Sequence, residues 1–344
     1  MDKKINVAIN GFGRIGRSFF RLAFENENIN IVAVNDLAPM DNLLYLLRYD
    51  TAQGYEDYVV DMSDDSFYVD GKKISFHQEK DPTQLPWKDL DIDVVVESTG
   101  FFTKYPDAKL HMDAGAKKVV ISAPAKSDDG DVSGVKAQTV LMGVNHDQLG
   151  TCQLSSNGSC TTNSVGAIMQ ALIDTVGVEN AMLSTIHGYT ASQSLVDAPH
   201  KGDFRRGRAA AQNIVPTTTG AATTTAKAVS GLDGKFDGVA VRVPVVAGSI
   251  SDVTFVVKKA TTVDEINEIL VRTAEDEKYR GVFAVTDEPI VSSDIIGSTY
   301  AGIVDLSMTR VSGGKLVKVM IWYDNEMGYS QTLVDHVVET GKDL

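Results

Sequence analysis

The residues best placed to do chemistry are Cys160 and His187. Cys160 lies in Ser156-Asn157-Gly158-Ser159-Cys160-Thr161-Thr162-Asn163, just ahead of a run with apolar residues at Val165, Ile168, Met169, Leu172 and Val176. That spacing is one face of an amphipathic helix beginning near Ser164. A thiol at a helix N-terminus has its thiolate stabilised and becomes a nucleophile near neutral pH. A buried, inert thiol is the other reading of a lone cysteine. His187 bears on the choice, because it follows a strand-like stretch over residues 181–186 and precedes Gly188-Tyr189-Thr190. A reactive thiol needs a base to accept its proton, and a thiolate–imidazolium pair is the usual arrangement. His77, His111, His146, His200 and His336 have no comparable setting and read as surface or structural. No grouping of His, Cys and carboxylates has metal-ligand spacing, so no metal is expected.

Anion chemistry is written elsewhere in the chain. Gly11-Phe12-Gly13-Arg14-Ile15-Gly16 is a GxGxxG that follows a strand-like run and opens a helical one. Gly11 permits the tight turn, Gly13 lets a pyrophosphate approach the backbone, and Gly16 lets helix pack on strand. The helix N-terminus adds unpaired N–H groups and a partial positive charge. Asp36, at the end of the second strand, would accept hydrogen bonds from adenosine ribose hydroxyls and repel a 2′-phosphate, which favours NAD over NADP. The densest basic run, Lys201-Gly202-Asp203-Phe204-Arg205-Arg206-Gly207-Arg208, is a solvated or subunit-contact loop or an anion site. Arg242 falls inside an apolar run, where an unpaired charge is costly unless it meets an anion or a carboxylate.

These groups must be carried by two kinds of architecture. Short β-branched strands over residues 5–9, 29–34, 94–96, 119–121 and 140–142, with helices around 41–48 and 105–114, predict a doubly wound α/β sheet in roughly the first 150 residues. After Cys160 strand-like runs dominate: 182–186, 238–243, 251–257, 303–308 and 315–323, with a hairpin signal at Ser312-Gly313-Gly314. An amphipathic helix over 263–272 and a final helix from Tyr329 through Val337 complete a mixed α+β half with a largely antiparallel sheet.

The chain has 344 residues, 43% hydrophobic and 23% charged, with a formal net charge of -14. Such an acidic body repels polyphosphate backbones and anionic lipids, so neither nucleic acid nor membrane is an expected partner. Two cysteines, Cys152 and Cys160, are too few for a disulfide framework. The start Met1-Asp2-Lys3-Lys4 lacks a leader signature, and the expected compartment is the cytoplasm.

Six segments carry a family resemblance: Asn10 to Arg17, Glu97-Ser98-Thr99-Gly100, Ile121-Ser122-Ala123-Pro124, Ser159 to Asn163, Pro216 to Ala221, and Trp322-Tyr323-Asp324-Asn325-Glu326. In order and spacing they resemble the phosphorylating glyceraldehyde-3-phosphate dehydrogenases. The resemblance implies a Rossmann nucleotide-binding domain over residues 1–159, rejoined by a C-terminal helix at 326–344, and a catalytic domain over 160–325. It implies that Cys160 is the nucleophile and His187 its base, with Gly11, Gly13, Arg14, Ile15, Gly16, Asp36, Ser122 and Asn325 around NAD. It makes Thr190 and Arg242 ligands of the substrate phosphate, and Ser159, Thr161, Arg206, Thr219 and Gly220 ligands of the attacking inorganic phosphate. A homotetramer follows from the same resemblance. Departures are few. Gly158 and Gly188 stand where Ala or Ser is common, Lys80 where Arg is common, and Val245-Val246-Ala247-Gly248 replaces a more polar segment. Ala198-Pro199 stands where Leu-Pro is common, which leaves NADP open as a second cofactor. Kept residues at Tyr189-Thr190 and Thr219-Gly220 weigh against the sister activity on erythrose 4-phosphate. A semialdehyde dehydrogenase would need different substrate anchors, and a redox sensor without turnover would not need His187.

Overall fold

Five of the six residues in the Ile5–Asn10 strand are buried, as a strand covered on both faces requires. In this computed structural model, which describes residues 4–344, that strand pairs in parallel with Ile29–Asn35 on one side and Val94–Glu97 on the other. Met1, Asp2 and Lys3, part of the Met1-Asp2-Lys3-Lys4 segment read for a leader signature, lie outside the described residues. By contacts the chain divides into two compact units, one of residues up to Val140 with His146–Gly158 and Leu333–Leu344, the other of Leu141–Asn145 with Ser159–Thr332.

Among the described residues the first unit carries a ten-stranded sheet. Outward from Ile5–Asn10 the chain lays down Ile29–Asn35, Lys72–His77, Ser66–Val69 and Val60–Met62 on one side. It then restarts on the other with Val94–Glu97, Lys118–Ile121, Leu154–Ser156, Val135–Thr139 and Gly130–Val132. The order therefore reverses beside Ile5–Asn10, and the carboxyl ends at that reversal are where a doubly wound sheet holds a ligand. Two strand expectations need correction. The apolar run Val140-Leu141-Met142 follows the Val135–Thr139 strand rather than forming one, because alternating polar residues in Val-Lys-Ala-Gln-Thr hide that strand from a search for continuous apolar runs. The helix expected over 105–114 is two short turns, Tyr105–Ala108 and Leu110–Asp113.

The second unit is built on an eight-stranded sheet. Its order is Val215–Thr218, Phe236–Val243, Val178–Gly188, Ser249–Val257, Leu316–Tyr323, Gly302–Asp305 and Phe283–Thr286, with Arg310–Ser312 paired to Leu316–Tyr323. Most pairs are antiparallel; the His187 strand runs parallel to Phe236–Val243. The Cys160–Thr175 helix packs Val165, Ile168, Met169 and Leu172 into one core with Val253, Phe255, Val317 and Ile321. The strand expected over 303–308 stops at Asp305, whose carboxylate accepts from the Ser307 N–H and starts a short 3-10 turn. The Gly313-Gly314 turn joins Arg310–Ser312 to the strand that follows, and both glycines have positive φ, at 59° and 71°.

Within the first unit, His336 is fully buried. Its Nε2 lies 2.8 Å from the Ser155 hydroxyl and its Nδ1 3.2 Å from the Asn157 amide oxygen. Burial lowers its pKa to about 3. The unfolded chain binds a proton here below its ordinary value of about 6.5, while the folded protein refuses it. Stability from this group is thus complete above pH ~6.5 and falls by up to about 1.4 kcal/mol per pH unit as pH drops toward the folded value. Urea midpoints measured from pH 7 down to 5 are expected to fall steeply, and less steeply in His336→Asn. An unchanged slope in that variant would contradict this assignment.

Candidate active site

In the first unit the dinucleotide loop is shaped by what its glycines avoid. A Cβ on Gly11 would lie 2.6 Å from the Thr99 backbone nitrogen, and one on Gly16 would lie 2.1 Å from the Gly11 carbonyl oxygen. A Cβ on Gly13 would meet nothing within 4 Å, so the space above it is open to a ligand. Gly13 is also the N-cap of the Arg14–Ala23 helix and supplies no side-chain cap, which leaves the first-turn N–H groups without a capping side chain. Open space and uncapped donors fit a dinucleotide pyrophosphate. Arg14 pairs with the Asp50 carboxylate, and Ile15 beside it is half-buried.

Asp36 follows the Ile29–Asn35 strand. Its carboxylate accepts from the Phe12 N–H at 2.7 Å and from the Ala38 N–H at 2.9 Å. The loop and its acidic partner therefore hold each other, and the remaining lone pairs can face a ribose. Behind them runs a buried polar chain whose members lie far apart along the sequence. The Glu97 carboxylate accepts from Asn10 at 2.5 Å and from the Thr99 N–H at 2.8 Å, while Asn10 accepts from Asn35 at 2.7 Å. His111 closes the chain. The Trp87 indole only donates, so at 3.0 Å it makes His111 Nδ1 an acceptor and leaves the proton on Nε2, 3.1 Å from Glu97. Ser122, half-buried, follows the Lys118–Ile121 strand.

In the second unit the thiol and imidazole meet. Cys160 is the first residue of its helix, capped by Ser159, whose hydroxyl accepts from the Thr162 N–H at 3.1 Å. Cys160 Sγ lies 3.4 Å from His187 Nε2. The Gly188 carbonyl, an acceptor, lies 2.7 Å from His187 Nδ1, which places the ring proton there and leaves Nε2 free to accept the thiol proton. Strand register sets Arg242 directly beside His187. Its Nη1 donates to the Gly188 carbonyl at 3.0 Å, while its Nε is buried without a partner. A half-buried guanidinium whose covered Nε is an unspent donor fits an anion.

The electrostatics differ from the expected thiolate–imidazolium pair. Burial raises the Cys160 pKa, opposed by the Arg242 charge and the Thr161 N–H. Burial and the Arg242 charge lower that of His187 to about 3. Desolvation penalises both charged forms, and the nearby cation penalises imidazolium further while favouring the thiolate.

The remaining residues are placed as follows. Thr161 is buried, its hydroxyl 2.9 Å from that of Tyr323. Arg206 Nε donates to the Thr217 hydroxyl at 2.9 Å and Nη2 to the Thr218 carbonyl at 3.2 Å, and its charge bears on Arg242. The Thr219 hydroxyl accepts from the Ala221 N–H at 3.2 Å, and Gly220 caps the Ala221–Ala228 helix. Thr190 shares a 2.9 Å hydroxyl contact with Ser192. Asn325 accepts from the Gly248 N–H at 3.1 Å and the Ser249 hydroxyl at 3.0 Å, which turns its amide NH2 the other way. Gly188 has its own reason to lack a side chain, since a Cβ would lie 3.0 Å from the Val245 carbonyl oxygen in the segment marked as a departure. Among the described residues no group of three His, Cys, Asp or Glu could hold a metal ion.

A doubly wound nucleotide unit with an open glycine loop, and a second unit presenting a thiol to an imidazole beside an arginine, define a nucleotide-dependent dehydrogenase of the thiol class. Residues 5–105 match the family model described as the glyceraldehyde 3-phosphate dehydrogenase NAD binding domain, and residues 159–325 that of its C-terminal domain. A Thermotoga maritima glyceraldehyde-3-phosphate dehydrogenase is 50% identical over 332 residues, covering 96% of this chain and 97% of its own. Those of Streptomyces coelicolor and Geobacillus stearothermophilus are each 46% identical, covering 99% and 96% of both chains respectively. The chain belongs to the glyceraldehyde-3-phosphate dehydrogenase family.

Proposed function

We propose that the protein oxidises D-glyceraldehyde 3-phosphate with NAD and inorganic phosphate to 1,3-bisphosphoglycerate, through a covalent intermediate on Cys160. The observation that carries this reading is the 3.4 Å contact between Cys160 Sγ and His187 Nε2 beside Arg242. Sγ attacks the aldehyde carbon while Nε2 accepts the thiol proton and returns it to the new oxygen, giving a thiohemiacetal. When bound, NAD supplies the hydride acceptor. His187 takes the hydroxyl proton as hydride leaves, and the carbon becomes a thioester on Cys160. Inorganic phosphate then attacks the thioester, and the acyl phosphate departs as Sγ is released. Arg242 and Thr190 hold the substrate phosphate; Ser159, Thr161, Arg206, Thr219 and Gly220 hold the attacking one. An anion on Arg242 also screens the charge that keeps His187 unprotonated, so substrate binding itself favours proton transfer.

Gly11, Gly13, Arg14, Ile15, Gly16, Asp36, Ser122 and Asn325 hold NAD in this reading, with residues 1–159 and 326–344 as the nucleotide domain and 160–325 as the catalytic one. The chain functions as a homotetramer in the cytoplasm. Association is supported by a loop whose Leu195, Val196, Phe204 and Ile214 are all at least 70% exposed, an apolar surface that invites a second copy. The compartment is supported by Cys152 and Cys160 both being free thiols. Among the described residues no helix is long and apolar enough to cross a membrane.

NADH formation is expected with glyceraldehyde 3-phosphate at a higher kcat/KM than with erythrose 4-phosphate, and with NAD above NADP. Asp36→Asn removes the charge that repels a 2′-phosphate and should move the NADP-to-NAD ratio of kcat/KM up by about tenfold. Preference for erythrose 4-phosphate would overturn the substrate assignment. An unmoved cofactor ratio would overturn the role of Asp36.

A further inference from the structure

We propose that Tyr323 is a positioning residue that sets the separation of the Cys160 thiol and the His187 imidazole; the inference rests on the reading of those two as the reacting pair. Tyr323 ends the Leu316–Tyr323 strand, where Val317, Val319, Ile321 and Tyr323 alternate onto the buried face. Its phenolic oxygen lies 2.9 Å from Thr161 Oγ1 and 2.7 Å from Thr185 Oγ1. Thr161 is the residue after Cys160, and Thr185 precedes His187 by two positions on the same strand face. One hydroxyl therefore ties the turn that carries the nucleophile to the strand that carries the base.

The tie crosses an intervening strand. Ser249–Val257 lies between the Thr185 strand and the Tyr323 strand, with Ser249 opposite Tyr323 and Ser251 opposite Thr185. A large residue at either serine would fill the path of the phenol. Ser251 adds a parallel strut. Its hydroxyl is 3.0 Å from Ser164 Oγ, which donates to the Thr161 carbonyl at 2.9 Å. The Tyr323 ring also meets the imidazole edge-on, with centroids 5.9 Å apart and planes at 76°. The Gly188 carbonyl fixes His187 from its Nδ1 side, so the ring is held on two sides. Burial raises the phenol pKa, keeping it protonated and able to donate to one threonine while accepting from the other. His187, Arg242 and Tyr323 are the titratable or charged groups that bear on the thiol.

Tyr323→Phe removes the tie and keeps the ring. Misplacement of about 1 Å between reacting groups costs about a hundredfold in rate, and partial loosening costs less. In the whole enzyme, kcat is expected to fall about tenfold with the KM for NAD unchanged. The pH midpoint for alkylation of Cys160 by iodoacetamide should move upward, since the thiol loses part of its base. Thr185→Val cuts one anchor and should move the midpoint the same way, while Thr185→Ser keeps the hydroxyl and should not. If Tyr323→Phe does not fold, the Thr185 pair decides. Midpoints superimposable on the unsubstituted enzyme in Tyr323→Phe and Thr185→Val, or in Thr185→Val alone where Tyr323→Phe does not fold, would overturn the proposal. If alkylating Cys160 left turnover intact, the reading of the reacting pair would fail instead, so the two failures are distinguishable.

Discussion

Cys160→Ser is expected to lower turnover of glyceraldehyde 3-phosphate by ~10^4-fold or more while leaving NAD affinity within about twofold of the unsubstituted enzyme. The substitution changes one atom and removes no anchor of the helix, because Ser159, not Cys160, caps it. What disappears is a nucleophile that a neutral imidazole can deprotonate. A serine hydroxyl is a far weaker acid than a thiol, and the burial that already raises the thiol pKa would act on an alkoxide too. NADH formation measures the loss, and titration of the variant with NAD measures what is retained. Turnover near that of the unsubstituted enzyme would rule out covalent catalysis at this residue.

His187→Asn is expected to lower kcat by ~10^2 to 10^4-fold, the usual worth of a positioned general base. Asparagine can still donate to the Gly188 carbonyl and fill much of the space, so the strand end should stay in place. It cannot accept a proton from Sγ or return one. Because burial and the nearby Arg242 charge lower the His187 pKa to about 3, Nε2 stays a proton acceptor throughout the neutral range. The pH dependence lost with it therefore belongs to the thiol. Cys160 alkylation should shift to higher pH in the variant. An unshifted alkylation profile together with an unchanged kcat would show that Nε2 takes no proton from Sγ.

Legibility in the sequence followed physical distinctness. Gly11, Gly13 and Gly16 could be read because a close approach leaves only glycine acceptable, and the structure shows those approaches as backbone atoms within 2.6 Å of an added Cβ at two of the three. The parallel strands were legible where valine and isoleucine run continuously and hidden where they do not, as at Leu154–Ser156. Cys160 and His187 stood out as types in settings, but their mutual distance depends on a helix start and a strand end 27 positions apart. Arg242 stands out as a charge in an apolar run, and strand register puts it beside His187. Tyr323 and Glu97 fall in segments that carry the family resemblance, where neither shows a role of its own. A buried hydroxyl bridging two threonines, or a carboxylate with several donors around it, is defined by partners distant in sequence. No local pattern announces such groups. The electrostatics of the pair were likewise unreadable, because the helix N-terminus that favours a thiolate is visible in the sequence and the desolvation that opposes it is not.

The central claim is a thioester on Cys160 that only inorganic phosphate discharges rapidly. Rapid mixing of concentrated enzyme with NAD and glyceraldehyde 3-phosphate, with phosphate removed, tests it most directly. The account predicts a burst of about one NADH per Cys160 followed by a near stall, with steady turnover restored when phosphate is added. Sustained NADH formation at the same rate with and without phosphate would contradict it.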